Sequence, residues 1–185
     1  EYQQNCPSYM QHIIAEITQL ARKSPDISQR SGVSVRATVA NYEAMLANAL
    51  RRAITTGEQE VVPRISDLPF IMPSLQGKVE FEAMEEGRED KIIHRLFDDA
   101  VKAVFARYID VQQVENMALE FAEGMNVTTG ESIPSADYTS IPSKISGLKE
   151  LVTKLTRTES QAEQASAIEF ILEGLHLNQL LNKDQ

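Results

Sequence analysis

The sequence predicts an all-α fold, and two observations support that prediction. Apolar residues recur at intervals of three and four over most of the chain, which is the spacing that places side chains on one face of an α-helix. Alternation of the kind found in strands is confined to a short stretch around Val79 and Phe81. We therefore expect a bundle of about six or seven helices, with antiparallel neighbours where the loops are short.

The first two predicted helices lie in the N-terminal third of the chain. Residues 8–23 have a helical apolar stripe after Pro7, with Ser8 in the position of a cap. Ser34 is expected to cap a second helix, which begins at Val35, runs for about 20 residues and ends near Gly57. We expect its buried face to contain Val35, Val39, Tyr42, Leu46, Ala49 and Ala53.

The remaining helices are separated by two irregular segments. The segment 58–74 contains three prolines and can hold only short helical pieces, capped by Ser66 or Asp67. The segment 125–142 is rich in Ser, Thr, Gly and Pro and predicts a mobile loop. Longer helices are predicted at about 88–109, 111–123, 143–157 and 159–182.

Composition and charge exclude several classes of protein. Hydrophobic residues make up 42% of the 185 positions, enough for a core, and no apolar run reaches the length of about 18–20 residues that crosses a bilayer. Residues 1–62 carry six basic and six acidic side chains, so the net charge of −9 belongs to residues 63–185. This acidity disfavours binding to nucleic acid or to an anionic membrane. With one cysteine, Cys6, and no secretion signal, we expect a soluble cytoplasmic protein.

The sequence contains no motif for catalysis or for metal binding. It has no glycine-rich phosphate loop, no paired cysteines and no His-Glu-x-x-His segment. His12, His94 and His176 are far apart along the chain. Adjacent carboxylates such as Asp98 and Asp99 point in different directions on a helix. We therefore predict no catalytic residue and no metal ligand in this chain.

Arg36 lies where a cation is unfavourable. It falls in the first turn of the second predicted helix, where unpaired amides and the helix dipole oppose a positive charge by about 0.3–1 kcal/mol. Two interpretations remain open. The guanidinium could pair with a carboxylate while its stem covers apolar surface. Alternatively, the guanidinium and the helix end could hold one anion, such as a phosphate, with Arg30 contributing from the preceding loop.

A recognisable order of residues surrounds Arg36. The segment 32–37 reads Gly-Val-Ser-Val-Arg-Ala, an alanine-rich helix follows, and then come Val62, Asp67 and Leu68. This order resembles the lid subdomain of AAA+ ATPases of the MoxR and magnesium-chelatase subunit I group, in which a Gly-x-Ser-x-Arg-Ala segment opens the helix that carries the sensor 2 arginine. The resemblance extends loosely to the C-terminal tail, which is similar to bacterial magnesium-chelatase-like ATPases with a helical region after the lid.

The resemblance implies two parts and assigns roles to three residues. Residues 1–75 would form the lid-like subdomain with the sensor 2 motif, and residues 76–185 a helical extension with a flexible loop near 125–142. Arg36 would sense the nucleotide, with support from Arg30 and Ser34. One departure is that Val35 stands where the family has proline, so the start of the helix is less rigidly fixed.

The resemblance also implies partners that this chain does not contain. ATP and Mg would be bound mainly by an AAA+ core domain of the same full-length protein, so the fragment alone would have no ATPase activity. Neighbouring subunits of a ring oligomer and an unknown protein target would be further partners. The chain would thus be the non-catalytic C-terminal part of a motor that couples ATP binding and hydrolysis to lid movement and partner remodelling.

Two other functions compete with this interpretation. The chain could be a free-standing α-helical interaction module with no link to nucleotide, in which case Arg36 is an ordinary salt-bridge partner. It could also be an enzyme in its own right, but the sequence offers no convergent catalytic set.

Overall fold

The computed structural model describes residues 1–28, 30, 33–82, 87–110, 112 and 114–183, and these residues form an all-α fold. The α-helices are α1 (Ser8–Lys23), α2 (Val35–Thr56), α3 (Met72–Gln76), α4 (Arg88–Tyr108), α5 (Glu115–Ala122), α6 (Ser135–Tyr138), α7 (Leu148–Leu155) and α8 (Gln161–Leu177). Short 3₁₀ helices span Ile65–Ile71 and Ile141–Ser143. Strands β1 (Gln3–Gln4) and β2 (Glu60–Val61) pair in parallel. The all-α prediction is confirmed.

Helices α1, α4 and α8 form the centre of the molecule. Helix α1 packs on α4. Ile13 and Ile17 of α1 and Phe105 of α4 are fully buried. Helix α8 packs closely on α4 because it presents Gly174, where an added Cβ would lie 1.9 Å from the Phe105 ring. The Tyr9 ring of α1 stacks on a phenylalanine of α8 at a centroid distance of 4.5 Å. Close helix packing thus joins the two ends of the chain.

The apolar core is continuous across residue 75, the predicted boundary between lid and extension. A single cluster of buried side chains contains Ile14 and Met45 from one side and Val104 and Ile171 from the other. The two parts therefore share one core in the described residues. The division into a sensing part and an extension stays a prediction about function.

Helix α2 has the predicted bounds but a different buried face. It begins at Val35 and ends before Gly57, whose φ of 74° is the left-handed conformation that favours glycine. Val35 and Val39, predicted to be buried, are 69% and 52% exposed, so the predicted stripe is wrong in its first half. The buried residues of α2 are Ala37, Asn41, Met45, Asn48, Ala49, Arg52 and Ala53.

Polar residues on the inner face explain this error. The spacing of apolar residues identifies the buried face of a helix only if the buried residues are apolar. Asn48 and Arg52 are polar but buried, because residues distant along the chain satisfy their hydrogen bonds. Asp67, predicted as a cap, accepts a hydrogen bond from the Arg64 amide at 2.8 Å and so closes the start of the first 3₁₀ helix.

The second half of the predicted mobile loop is folded. Within 125–142 the chain forms α6 and begins the second 3₁₀ helix, and Tyr138 is fully buried. The expectation of an irregular loop is wrong here because Ser135 and Tyr138 are buried and bond Glu58 and Glu169, which are distant along the sequence. Residues 125–134 contain no helix or strand, and their mobility stays a prediction.

The other predicted helices are present with small differences at their ends. Helix α1 begins at Ser8, so Pro7 rather than Ser8 occupies the cap position. The two closing helices are shorter than predicted, and Ser160 caps the second by accepting a hydrogen bond from the Glu163 amide. The predicted alternation near Phe81 corresponds to a single antiparallel bridge to Ile27. Val111, predicted to face inward, lies outside the described residues.

Candidate functional site

Arg36 lies at the second position of α2 with its side chain exposed to solvent. Within the described residues it forms neither an ion pair nor a hydrogen bond through its guanidinium. Of the two interpretations left open by the sequence, pairing with a carboxylate of this chain therefore has no support in the part of the structure that is described. The guanidinium is available to an external anion.

Contacts with α1 fix the backbone around Arg36. The Arg22 side chain donates from Nε to the Val33 carbonyl at 2.8 Å, and the hydroxyl of Thr38 donates to that of Thr18 at 2.8 Å. Val33 and Ala37 are both buried. Arg36 is thus exposed on a segment that is held on both sides, although position 35 is valine and not proline.

The N-terminal end of α2 is electropositive. Ser34 occupies the predicted N-cap position in an extended conformation, but its hydroxyl accepts no hydrogen bond from the first-turn amides. The first turn contains no acidic residue. Ser160, by contrast, does cap α8 through its side chain. Because neither a side-chain cap nor a carboxylate of the described residues neutralises it, the N-terminal end of α2 can attract an anion.

Arg30 lies in the turn before α2 and is also exposed. No hydrogen bond or ion pair joins Arg30, Ser34 and Arg36 to one another in the described part of the chain. Gly32, part of the resemblance motif, lies outside the described residues. The three predicted site residues thus lie in one segment of the chain, with no direct contact holding them as a preformed cluster.

Exposed apolar side chains flank Arg36 on the same end of the helix. Val35 precedes it directly and Val39 follows it by three positions, and both rank among the most exposed large apolar residues of the described chain. Apolar side chains grouped on a surface are typical of a site that another molecule or domain covers. The end of α2 therefore combines one unpaired cation with uncovered apolar surface.

A buried cluster of charges at the other end of α2 was not predicted from the sequence. Arg52 and Asp67 form a salt bridge at 3.0 Å with side chains 1% and 0% exposed. The Arg52 guanidinium also donates to the Val62 carbonyl at 2.7 Å and lies 3.7 Å from the Glu58 carboxylate. The Asn48 amide donates to Asp67 at 2.7 Å. Val62 and Asp67, positions of the resemblance motif, thus converge on one arginine.

The buried cluster continues from α2 towards α6 and α8 through Arg64. The Arg64 side chain is 0% exposed and donates to the Ile133 carbonyl at 2.8 Å, and it lies over the Tyr138 ring at 4.9 Å. It also bonds the hydroxyl of Ser135. Tyr138 in turn donates to the Glu169 carboxylate of α8 at 2.5 Å. Polar contacts therefore connect α2 to the C-terminal half of the molecule.

Glu58 joins the two arginines of this cluster. Burial alone would raise the pKa of Glu58, but hydrogen bonds from Ser135 and the positive charges of Arg64 and Arg52 outweigh it and lower that pKa below its ordinary value. The carboxylate is thus held in its charged form. The helical phase of Arg52, three residues after the inward Ala49, is the sequence signal that could have indicated its burial.

A sizeable cavity in the described part of the molecule lies elsewhere. It has a volume of about 630 Å³ between α4, α8 and the first 3₁₀ helix, and residues 125–130 and 181–183 complete its walls. No residue of α2 lines it. Arg36 is therefore a surface site, separate from this cavity.

The histidines do not assemble a metal site in the described residues, where no group of three His, Cys, Asp or Glu side chains is placed to hold an ion. The His12 ring nitrogen Nδ1 lies 2.9 Å from the Tyr108 hydroxyl, and that of His176 lies 3.0 Å from the Leu181 carbonyl.

None of the helices in the described ranges is both long and apolar enough to cross a membrane.

Comparison with known proteins identifies no relative. The chain matches no family model, no curated protein and no solved structure. A functional assignment therefore depends on the residues themselves and on the motif resemblance around Arg36.

Proposed function

We propose that this chain is the C-terminal, non-catalytic part of an AAA+ ATPase related to magnesium-chelatase motors, in which Arg36 senses the nucleotide. The observation that carries the proposal is the state of Arg36, an exposed guanidinium with no partner among the described residues, at the start of a long helix whose N-cap Ser34 makes no side-chain capping bond. A cation in that position opposes the helix dipole unless an anion joins it. The γ-phosphate of ATP is the anion that the motif resemblance suggests.

The physical role of Arg36 follows from the charge of the nucleotide. With ATP present, the guanidinium and the helix end share one phosphate, and the unfavourable charge is compensated. Hydrolysis removes that contact, which is worth about 1.5–3 kcal/mol for a hydrogen bond to a charged group. A change of this size can shift the populations of two lid positions. Arg36 would thus report hydrolysis as lid movement.

The surroundings of Arg36 are consistent with a core domain that covers them. Val35 and Val39 expose apolar surface beside the guanidinium, and a core domain carrying ATP and Mg would bury both. The proposed motor works in the cytoplasm as a ring, whose neighbouring subunits and protein target are the remaining partners.

Movement of α2 would reach residues 76–185 through the buried charge cluster. Arg52 of α2 and Arg64 both pair with Glu58, Arg64 lies over the Tyr138 ring, and Tyr138 donates to Glu169 of α8. Together with the continuous core, these contacts favour movement of the lid and the extension as one body. The extension could then transmit lid movement to a partner.

ATP turnover of the full-length protein tests this proposal. The Arg36→Ala variant should lose most of its turnover because the γ-phosphate contact is gone, and Arg36→Lys should recover only part of it because lysine lacks the planar fork of donors. Lys102→Ala is the matched control, since it removes from the middle of α4 one exposed cation that forms no ion pair within the described ranges. We expect this control to keep normal turnover.

Two results would favour the free-standing interaction module instead. One is a reading frame upstream of Glu1 that lacks a phosphate loop and an acidic Walker B strand. The other is equal ATP turnover in the Arg36→Ala and Lys102→Ala variants of a full-length protein that does contain a core. Either result would leave Arg36 without a nucleotide to sense.

A further inference from the structure

The cavity between α4 and α8 has the size and walls of a small-molecule site. Its volume of about 630 Å³ falls within the range of about 300–1,000 Å³ that is typical of such sites. Leu68, Phe97, Val101 and Leu172 supply apolar walls, and each of these side chains is otherwise well buried. An apolar group could therefore be enclosed on several sides.

The charged residues around this cavity are mostly acidic. Glu169 and Glu173 lie one turn apart on α8, and Asp98 lies opposite them on α4. Lys183 is the one lysine or arginine among the described lining residues, and its ammonium pairs with Glu173 at 2.8 Å. Glu169 and Asp98 form no ion pair within the described ranges. His94 and Lys183 lie near enough to Asp98 to act on its charge, but two carboxylates of the cavity have no direct ion-pair partner in the described residues.

Glu169 is the more unusual of the two because it is only 5% exposed. Its oxygens accept hydrogen bonds from the Tyr138 hydroxyl at 2.5 Å and from the Ser66 amide at 2.9 Å. Both donors are neutral, so they satisfy the oxygens without balancing the charge. Buried charges are usually paired with an opposite charge. A cation in the cavity would provide that charge.

The environment of Asp98 also indicates a locally negative field. Burial, and then the charge of Glu173, raise the pKa of Asp98 above its ordinary value. The carboxyl group has no hydrogen-bond partner among the described residues, and it lies at the partly open side of the cavity. An approaching cation would therefore meet acidic groups both at the opening and at the wall.

We propose that this cavity binds a small organic cation, namely a protonated amine with an apolar body. The ammonium group lies next to Glu169 and Glu173, and the apolar body packs against Phe97, Val101 and Leu172. This site is separate from Arg36, so the proposal does not depend on the proposed link to ATP.

A pair of probes with the same body and opposite charge tests the proposal. Titration of the isotopically labelled 185-residue chain with 4-phenylbutylamine should produce saturable shifts in the NMR signals of Ser66, Val101 and Leu172. A dissociation constant of about 1 mM or below is expected for a ligand of this size. The anion 4-phenylbutyrate should produce no saturable shift at the same residues.

Two glutamates of α8 provide a matched pair of variants. Glu169→Gln should weaken amine binding about tenfold, because it removes the unbalanced charge beside the ammonium. Glu163→Gln is the control: Glu163 is 4% exposed and also accepts several hydrogen bonds, but it does not line this cavity. Should Glu169→Gln fail to fold, Glu173→Gln at the more exposed position should weaken binding about threefold.

Three results would overturn the proposal. The first is the absence of saturable shifts at the cavity up to about 10 mM amine, ten times the expected dissociation constant. The second is equal binding of the amine and the carboxylate, which would indicate an apolar site only. The third is an equal loss of affinity in Glu169→Gln and Glu163→Gln, which would indicate general electrostatic attraction to an acidic protein.

Discussion

Helix α2 carries an arginine near each end, and the two have opposite surroundings. Arg36 is exposed and has no partner in the described residues, whereas Arg52 is 2% exposed and bonds Asp67, the Val62 carbonyl and Glu58. The same side chain is thus available for binding at one end and committed to the fold at the other. Which role an arginine has is decided by whether the chain supplies its acceptors.

The two ends of α2 also differ in the burial of their apolar side chains. The end near Arg52 contains the fully buried Ala49 and Ala53, while the end near Arg36 exposes Val35 and Val39. Because α1 also holds the backbone next to Arg36, this exposed end can present its side chains to a ligand without losing its position. Substitutions at the two ends should therefore have very different effects on stability.

The largest effect is expected from Arg52→Ala. This substitution leaves Asp67 buried without its cation, and removal of one partner from a buried pair costs about 3–5 kcal/mol. Urea unfolding of the chain should show that loss, while Arg36→Ala should change the free energy of unfolding by less than about 0.5 kcal/mol. Similar losses in the two variants would mean that Arg36 is also structural, and the contrast between the two ends would fail.

A smaller effect is expected at Glu58, and it should depend on pH. The Glu58→Gln variant should lose about 1–3 kcal/mol at pH 7, the cost of breaking hydrogen bonds around a partly buried charged group. Because the pKa of Glu58 is lower in the folded chain, its contribution is present above the ordinary value of 4.5 and is lost as pH falls through the folded pKa. Urea unfolding of both proteins from pH 7 to pH 3 should show the difference shrinking in acid. A difference independent of pH would show that the carboxylate charge is not responsible.

The sequence predicted the positions of the helices better than it predicted which side of each helix is buried. Helices α1, α2 and α4 lie where apolar spacing placed them, because long periodic segments and the Gly57 stop are local signals. Burial of Arg52 and Tyr138 was not predicted, because both depend on partners far away in the sequence: Asp67 and Val62 for one, Glu169 for the other. Local patterns carry no information on such partners.

The candidate site shows the same division. The position of Arg36 in the first turn and of Ser34 at the cap could be predicted from residue types alone. That the Ser34 hydroxyl makes no capping bond, and that Val35 and Val39 are uncovered, depends on how α1 and α2 pack. The cavity had no sequence signal, since its walls come from four separate segments of the chain.

A smaller change, and one of opposite sign to those at Arg52 and Glu58, is expected from Arg36→Glu. A carboxylate in place of the guanidinium should stabilise the first turn, raising the free energy of unfolding by about 0.5–1.5 kcal/mol at low ionic strength, because the end of the helix favours negative charge. The gain should largely disappear in about 1 M salt, where the screening length falls to about 3 Å. Lys102→Glu makes the same change of charge in the interior of α4, away from the N-terminal end of that helix, and should give no gain. If Arg36→Glu instead destabilises the chain while Lys102→Glu does not, then Arg36 already has an acceptor within the protein. The N-terminal end of α2 would then not be available to bind a phosphate.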